Sequence, residues 1–214
     1  MRLYLCIVRI TMSRPRSSHT SRDTVYSGLP LRKSVHISGA LFPFIAVLAG
    51  RTLAIKLLVA CILLFLVLEL SRPRTKNPPI VRALWRGEES KTIAIDPLLY
   101  LLSILSLLVL ASWVDEGICY ASIIVLTLGD GFSTIVGVHG KICLWGSSKT
   151  IEGTVAGILA AALVGFYFAG FIAVVGSAIG MIAEAGSSKY DNITVPMAAL
   201  VSMFIVGVAA GMTL

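Results

Sequence analysis

Long apolar runs, separated by short polar ones, constrain this chain more than any other feature of its sequence. Residues 53–70 are the plainest case, with Lys56 and Glu69 the only charged side chains in the run. An apolar run of about 18 or more residues can cross the hydrocarbon core of a bilayer as a helix. Comparable blocks cover residues 35–50, 97–114, 117–130, 154–183 and 193–214. Hydrophobic residues make up 57% of the 214 and charged residues 14%, against about 45–50% and about 25% in a soluble domain. That balance excludes a soluble globular enzyme and also intrinsic disorder. A transmembrane barrel would show alternating segments of about 10 residues, and these blocks do not alternate. The expected fold class is therefore all-α, a polytopic helical membrane protein. A basic tail (1–33) precedes a single transmembrane catalytic domain (34–214).

The block 154–183 decides how many spans there are. As one helix it would be about 45 Å long, against a hydrocarbon core of about 30 Å. Two short helices reversing between Gly165 and Gly170 fit better, because glycine tolerates tight turns. That gives about seven transmembrane helices. With the N-terminus cytoplasmic, sixteen of the 18 Lys and Arg residues fall on the inner side, the asymmetry typical of cytoplasmic loops. Arg51 and Lys56 are the exceptions, and Lys56 can snorkel. The net charge of +7 thus marks topology, and no nucleic-acid partner is expected, since no aromatic-studded basic stripe accompanies it. The four cysteines lack CxxC spacing and indicate neither a disulfide framework nor a zinc site. They read as small apolar fillers.

Charged residues in or beside membrane spans are costly and therefore candidates for function. Here they are Glu69, Asp130, Glu152, Glu184 and Asp191, and in the seven-span arrangement each lies at a cytoplasmic end. A coupled transporter puts its site near the midplane. The pattern instead suits an interfacial active site, reached by a soluble substrate from the cytoplasm and by a lipid from the bilayer. The densest polar segment runs from Gly129-Asp130 through Ser133, Gly137 and Gly140 to Lys149-Thr150-Ile151-Glu152-Gly153. Its glycines allow close approach to an anion, its hydroxyls and amides donate, and Lys149 adds positive charge. Thr150 is placed to N-cap a helix beginning at Ile151, whose N-terminus would then face the anion. Asp130 is placed to hold Mg²⁺ bridging phosphates. The Walker A pattern does not occur.

The run Asp130-x-x-Ser133-x-x-x-Gly137-x-x-Gly140, followed by Lys149-Thr150-x-Glu152-Gly153, resembles the CTP-binding signature of the polyprenol kinase family. That family includes dolichol kinase, phytol kinase and the CTP-dependent diacylglycerol kinase. Further matches are Arg32-Lys33-x-x-His36, Glu69-x-x-Arg72, Ala183-Glu184, Asp191-Asn192 and Pro196. Ser133 stands where the family often has Ala, and Lys149 is single where the family often has two adjacent basic residues. The resemblance implies transfer of the γ-phosphate of cytosolic CTP to the hydroxyl of a membrane polyprenol or related isoprenoid alcohol. It implies nucleotide contacts at Gly129, Ser133, Gly137, Gly140, Lys149, Thr150, Gly153 and Asn192. Asp130, Glu184 and Asp191 would bind Mg²⁺, and Asp130, Glu152, Glu184 or His36 would serve catalysis beside Lys149. The rival readings are a CTP:lipid cytidylyltransferase and, from another class, a small transporter or assembly subunit.

The topology is open to a direct check. A cysteine placed at position 189 is expected to react with a membrane-impermeant thiol reagent applied from the cytoplasmic side. Labelling only from the opposite side would make 154–183 a single crossing.

Overall fold

The computed structural model describes residues 33–70, 95–144, 149–187 and 190–211. The expected basic tail lies, apart from Lys33, outside these residues, as does Arg72. The described residues are helical with no strand, and one isolated antiparallel bridge pairs Cys143 with Thr150. The helices are α1 (Lys33–Ala49, with a turn at Gly39-Ala40), α2 (Arg51–Leu70), α3 (Ile95–Leu110), α4 (Glu116–Gly137), α5 (Ile151–Ala169), α6 (Ile172–Gly186) and α7 (Asp191–Ala209). Four of them, α2, α4, α5 and α7, are long and apolar enough to cross a membrane, and α1, α3 and α6 are shorter apolar helices.

Local chemistry sets the boundaries. Asp115 caps α4 by accepting from the Ile118 amide at 2.9 Å. Thr150 caps α5 by accepting from Gly153 N at 3.3 Å, as its sequence position predicts. The apolar block 154–183 is indeed two helices. Gly170, with φ +60°, ends α5 in a conformation that side chains resist, and α6 turns back to pack along α5.

The fourth block runs further than expected. The Gly-rich segment after Asp130 is not loop until Val138, because α4 continues to Gly137. The Ser133 and Thr134 hydroxyls donate back to the Asp130 carbonyl at 3.0 and 2.9 Å, an ordinary helical use of these residues. A π-turn at Val125–Gly129 interrupts α4 just before Asp130. Cys61 and Cys119 are free thiols, the first exposed and the second buried in the core.

Helix α4 is the centre of the bundle, touching α3, α5, α6 and α7. In its most apolar window 72% of residues are buried, against 11% for α2, so α2 presents most of its surface outward. The core gathers Leu107, Ile118, Ile123, Leu126, Met181 and Met203 around α4.

The contact between α4 and α5 is a backbone-to-backbone one. Gly153, Gly157, Ala161 and Gly165 form a buried stripe at four-residue spacing on α5, a pattern that lets helices approach closely in membranes. A Cβ on Gly153 would lie 2.5 Å from the Ser133 carbonyl oxygen and 2.8 Å from Gly137 Cα. One on Gly157 would lie 2.6 Å from the Gly129 carbonyl oxygen. Gly153→Ala is therefore expected to destabilise the bundle by about 1–3 kcal/mol through overpacking. At Gly186 a Cβ meets nothing within 4 Å, and Gly186→Ala should stay within about 0.5 kcal/mol. Thermal unfolding in detergent compares the two, and equal midpoints would contradict the close α4–α5 contact.

Candidate functional site

One end of the bundle collects the polar side chains. The N-terminus of α1, the C-terminal part of α4, the start of α5, the end of α6 and the start of α7 all meet there. Among the described residues, two ion-pair groups result there.

In the first group, Asp130 Oδ2 receives Lys33 Nζ at 2.9 Å and His36 Nε2 at 3.1 Å. His36 Nε2 also lies 3.1 Å from the Leu126 carbonyl oxygen. Both neighbours are acceptors, so this nitrogen carries the proton. The Asp130 amide would donate to Leu126 in an α-helix, but it donates to Thr127. Tyr100 supports the group from beneath. Its hydroxyl donates to the His36 carbonyl, and its ring lies 4.1 Å from the imidazole, centroid to centroid. Gly39 leaves the room that this tyrosine fills.

In the second group, Lys149 Nζ bonds Glu184 Oε1 and lies 3.5 Å from Asp191 Oδ2. Glu184 is 1% exposed. Its second oxygen, Oε2, and Asp191 Oδ1 are buried and have no hydrogen-bond partner among the described residues. Burial by itself would lower the Lys149 pKa, but the Glu184 carboxylate and then Asp191 and Asp130 hold it above its ordinary value. The contribution of Asp130 is the smallest of these.

The remaining predicted residues form the frame. Glu152 reaches back, and its Oε1 accepts from the amides of Lys141 and Ile142 at 2.9 and 3.3 Å. The Thr150 hydroxyl donates to the Gly137 carbonyl at 3.3 Å. Ile151 N bonds the Ile142 carbonyl at 2.8 Å, and Leu144 N bonds that of Lys149 at 2.8 Å. These contacts clasp residues 141–144 and Lys149-Thr150 onto the start of α5. The amides of Ile151, Gly153 and Thr154 thus have partners within the protein, and Lys149 lies beside carboxylates. Asn192 donates through Nδ2 to the Asp96 carbonyl at 3.1 Å, tying α7 to α3. Gly129, Gly137, Gly140 and Gly153 serve close packing: a Cβ on Gly129 would meet Met181, and one on Gly140 would meet Thr150.

The three expected metal ligands do not form a single cluster. Glu184 and Asp191 share Lys149, while Asp130 sits with Lys33 and His36. Among the described residues no group of three or more His, Cys, Asp or Glu side chains is arranged to hold a metal ion. Two contributors had no assigned role in the sequence reading. Lys33 was one residue of a longer motif, and Tyr100 carries no signal beyond being a hydroxyl-bearing residue in an apolar helix.

No protein-family model, curated protein or solved structure matches the chain.

Asp130 anchors the N-terminal turn of α1 through two charged or polar donors, and hydrogen bonds to a charged group contribute about 1.5–3 kcal/mol. Asp130→Asn is expected to loosen residues 33–38. Their amide hydrogens should exchange at least about tenfold faster, the factor that 1.4 kcal/mol of lost protection produces, with α7 unchanged. Unaltered exchange would show that Lys33 and His36 do not hold that turn.

Proposed function

We propose that the chain is an integral membrane phosphotransferase that moves the γ-phosphate of CTP onto the hydroxyl of a polyprenol or related isoprenoid alcohol. The observation that carries this reading is the meeting of two lysines and three carboxylates at one end of an apolar bundle. The proposed topology has seven crossings, with this end facing the cytoplasm. Water-borne CTP then arrives from one side, and the lipid hydroxyl arrives along the outward-facing apolar helix surfaces.

Phosphoryl transfer asks the protein mainly to position reactants and neutralise charge. Lys149 and Lys33 are the cations available to triphosphate oxygens. Asp130 is held in place by Lys33 and His36, and its role is to accept a hydrogen bond from the acceptor alcohol and aim its oxygen. The fit for Mg²⁺ lies at Glu184 and Asp191, each with a buried oxygen lacking a partner. Mg²⁺ takes one or two carboxylates and completes its shell with water and phosphate. When bound there it would supply charge neutralisation for the transferring group. Glu152 clasps the loop that carries Lys149, and Asn192 fixes the start of α7, so both act by positioning.

Purified protein incubated with γ-labelled CTP and mixed isoprenoid alcohols is expected to yield labelled lipid phosphate and CDP. Release of pyrophosphate would point to cytidylyl transfer instead. Lys149→Ala should lose at least about 10²-fold in turnover, comparable to losing one preorganised donor. Lys149→Arg should not restore it, because a planar guanidinium does not replace a compact ammonium in a narrow site. Wild-type rates in Lys149→Arg, with less than about a threefold loss in Lys149→Ala, would place the phosphates elsewhere.

A further inference from the structure

Lys149 occupies the space between two acids that are left incompletely satisfied. Its ammonium touches one oxygen of Glu184 and lies near one of Asp191. The other oxygen of each, Glu184 Oε2 and Asp191 Oδ1, is buried with no hydrogen-bond partner among the described residues. Glu184 is 1% exposed, so its bare oxygen is shut off from bulk water. A buried, unsatisfied carboxylate oxygen is strongly unfavourable. One ammonium carries a single charge and three donors, too little charge for two carboxylates. A hard divalent cation matches both charges and binds carboxylate oxygens in either mono- or bidentate fashion.

We infer that Lys149 is a displaceable occupant of a divalent-cation site formed by Glu184 and Asp191. A phosphate-bearing ligand loads the site by drawing the ammonium onto its own oxygens, which frees both carboxylates for the cation. Cation and phosphate binding are then coupled through one side chain, and coupling of this kind is reciprocal. The inference rests on the proposed phosphotransferase reading for the nature of the phosphate ligand, but its test uses neither nucleotide nor lipid.

The experiment is Mn²⁺ binding to the full chain in detergent, followed by electron paramagnetic resonance. Lys149→Met keeps most of the side-chain stem and removes the charge. It is expected to bind Mn²⁺ at least about tenfold more tightly than the unsubstituted chain, given the strength of like-charge repulsion at a few ångströms. Adding Glu184→Gln to that variant should abolish the gain. Equal affinity in the unsubstituted and Lys149→Met chains would overturn the inference. A second measurement needs no variant. Acetylation of Lys149 by an amine-reactive reagent, mapped by mass spectrometry, should accelerate severalfold when millimolar Mn²⁺ is added to the unsubstituted chain. Unchanged or slower labelling would overturn the inference equally. Positive results here combined with no phosphoryl transfer from CTP would leave the cation site standing and remove only the proposed reaction.

Discussion

The polar end of the bundle depends on how closely α5 approaches α4. Glycine at positions 153 and 157 lets the α5 backbone lie against the carbonyls of Ser133 and Gly129. That contact sets Thr150 within reach of the Gly137 carbonyl and brings Lys149 to the end of α6. A methyl group at either glycine would push the helices apart by more than a hydrogen bond tolerates. The same contact holds the C-terminal part of α4, and with it Asp130, beside the loop that ends in Lys149. Small side chains far from any charge therefore fix the distances between the charges.

Charge placement follows a second rule. The charged side chains of the site do not face apolar surroundings alone: Asp130 has Lys33 and His36, and Glu184 and Asp191 have Lys149. Breaking one partner of a buried pair is far worse than never having had the pair, so the groups should respond as units to substitution. The pairing also separates two kinds of acid. Glu152 spends its carboxylate on loop amides, whereas Glu184 and Asp191 each keep an oxygen uncommitted. Sequence position alone gives no hint of this difference, since all three acids lie within the first or last turns of apolar helices.

Much of the helical layout was legible because apolar blocks of membrane length have few other folds available. The reversal inside 154–183 followed from length arithmetic, and Gly170 supplies it. The cap at Thr150 followed from local chemistry. The segment after Asp130 departs from its local signal: glycine and hydroxyl residues signal a loop in water-exposed chains, yet here Gly131 makes room for Ile37 and Ser133 bonds back to its own helix. The partners of Lys149 were hidden for a different reason. They come from α6 and α7, 35 and more residues away, and no local pattern encodes such a meeting. Tyr100 was invisible for the same reason, its hydroxyl reaching a backbone carbonyl 64 residues distant.

The π-turn at Val125–Gly129 has a consequence for how α4 tolerates change. A π-turn holds one residue more than an α-helical turn, and each residue advances a helix by about 100°. The extra residue is taken up inside the wider turn, so the segment before it, with Ile118, Ala121 and Val125 in the core, and the segment from Asp130 onward keep the phase that a regular helix one residue shorter would give them. A residue lost from the turn itself would therefore leave Asp130 facing Lys33 and His36. A residue lost elsewhere between Glu116 and Asp130 would turn Asp130 away by about 100°. The turn thus marks the one stretch of α4 whose length can change without moving the site.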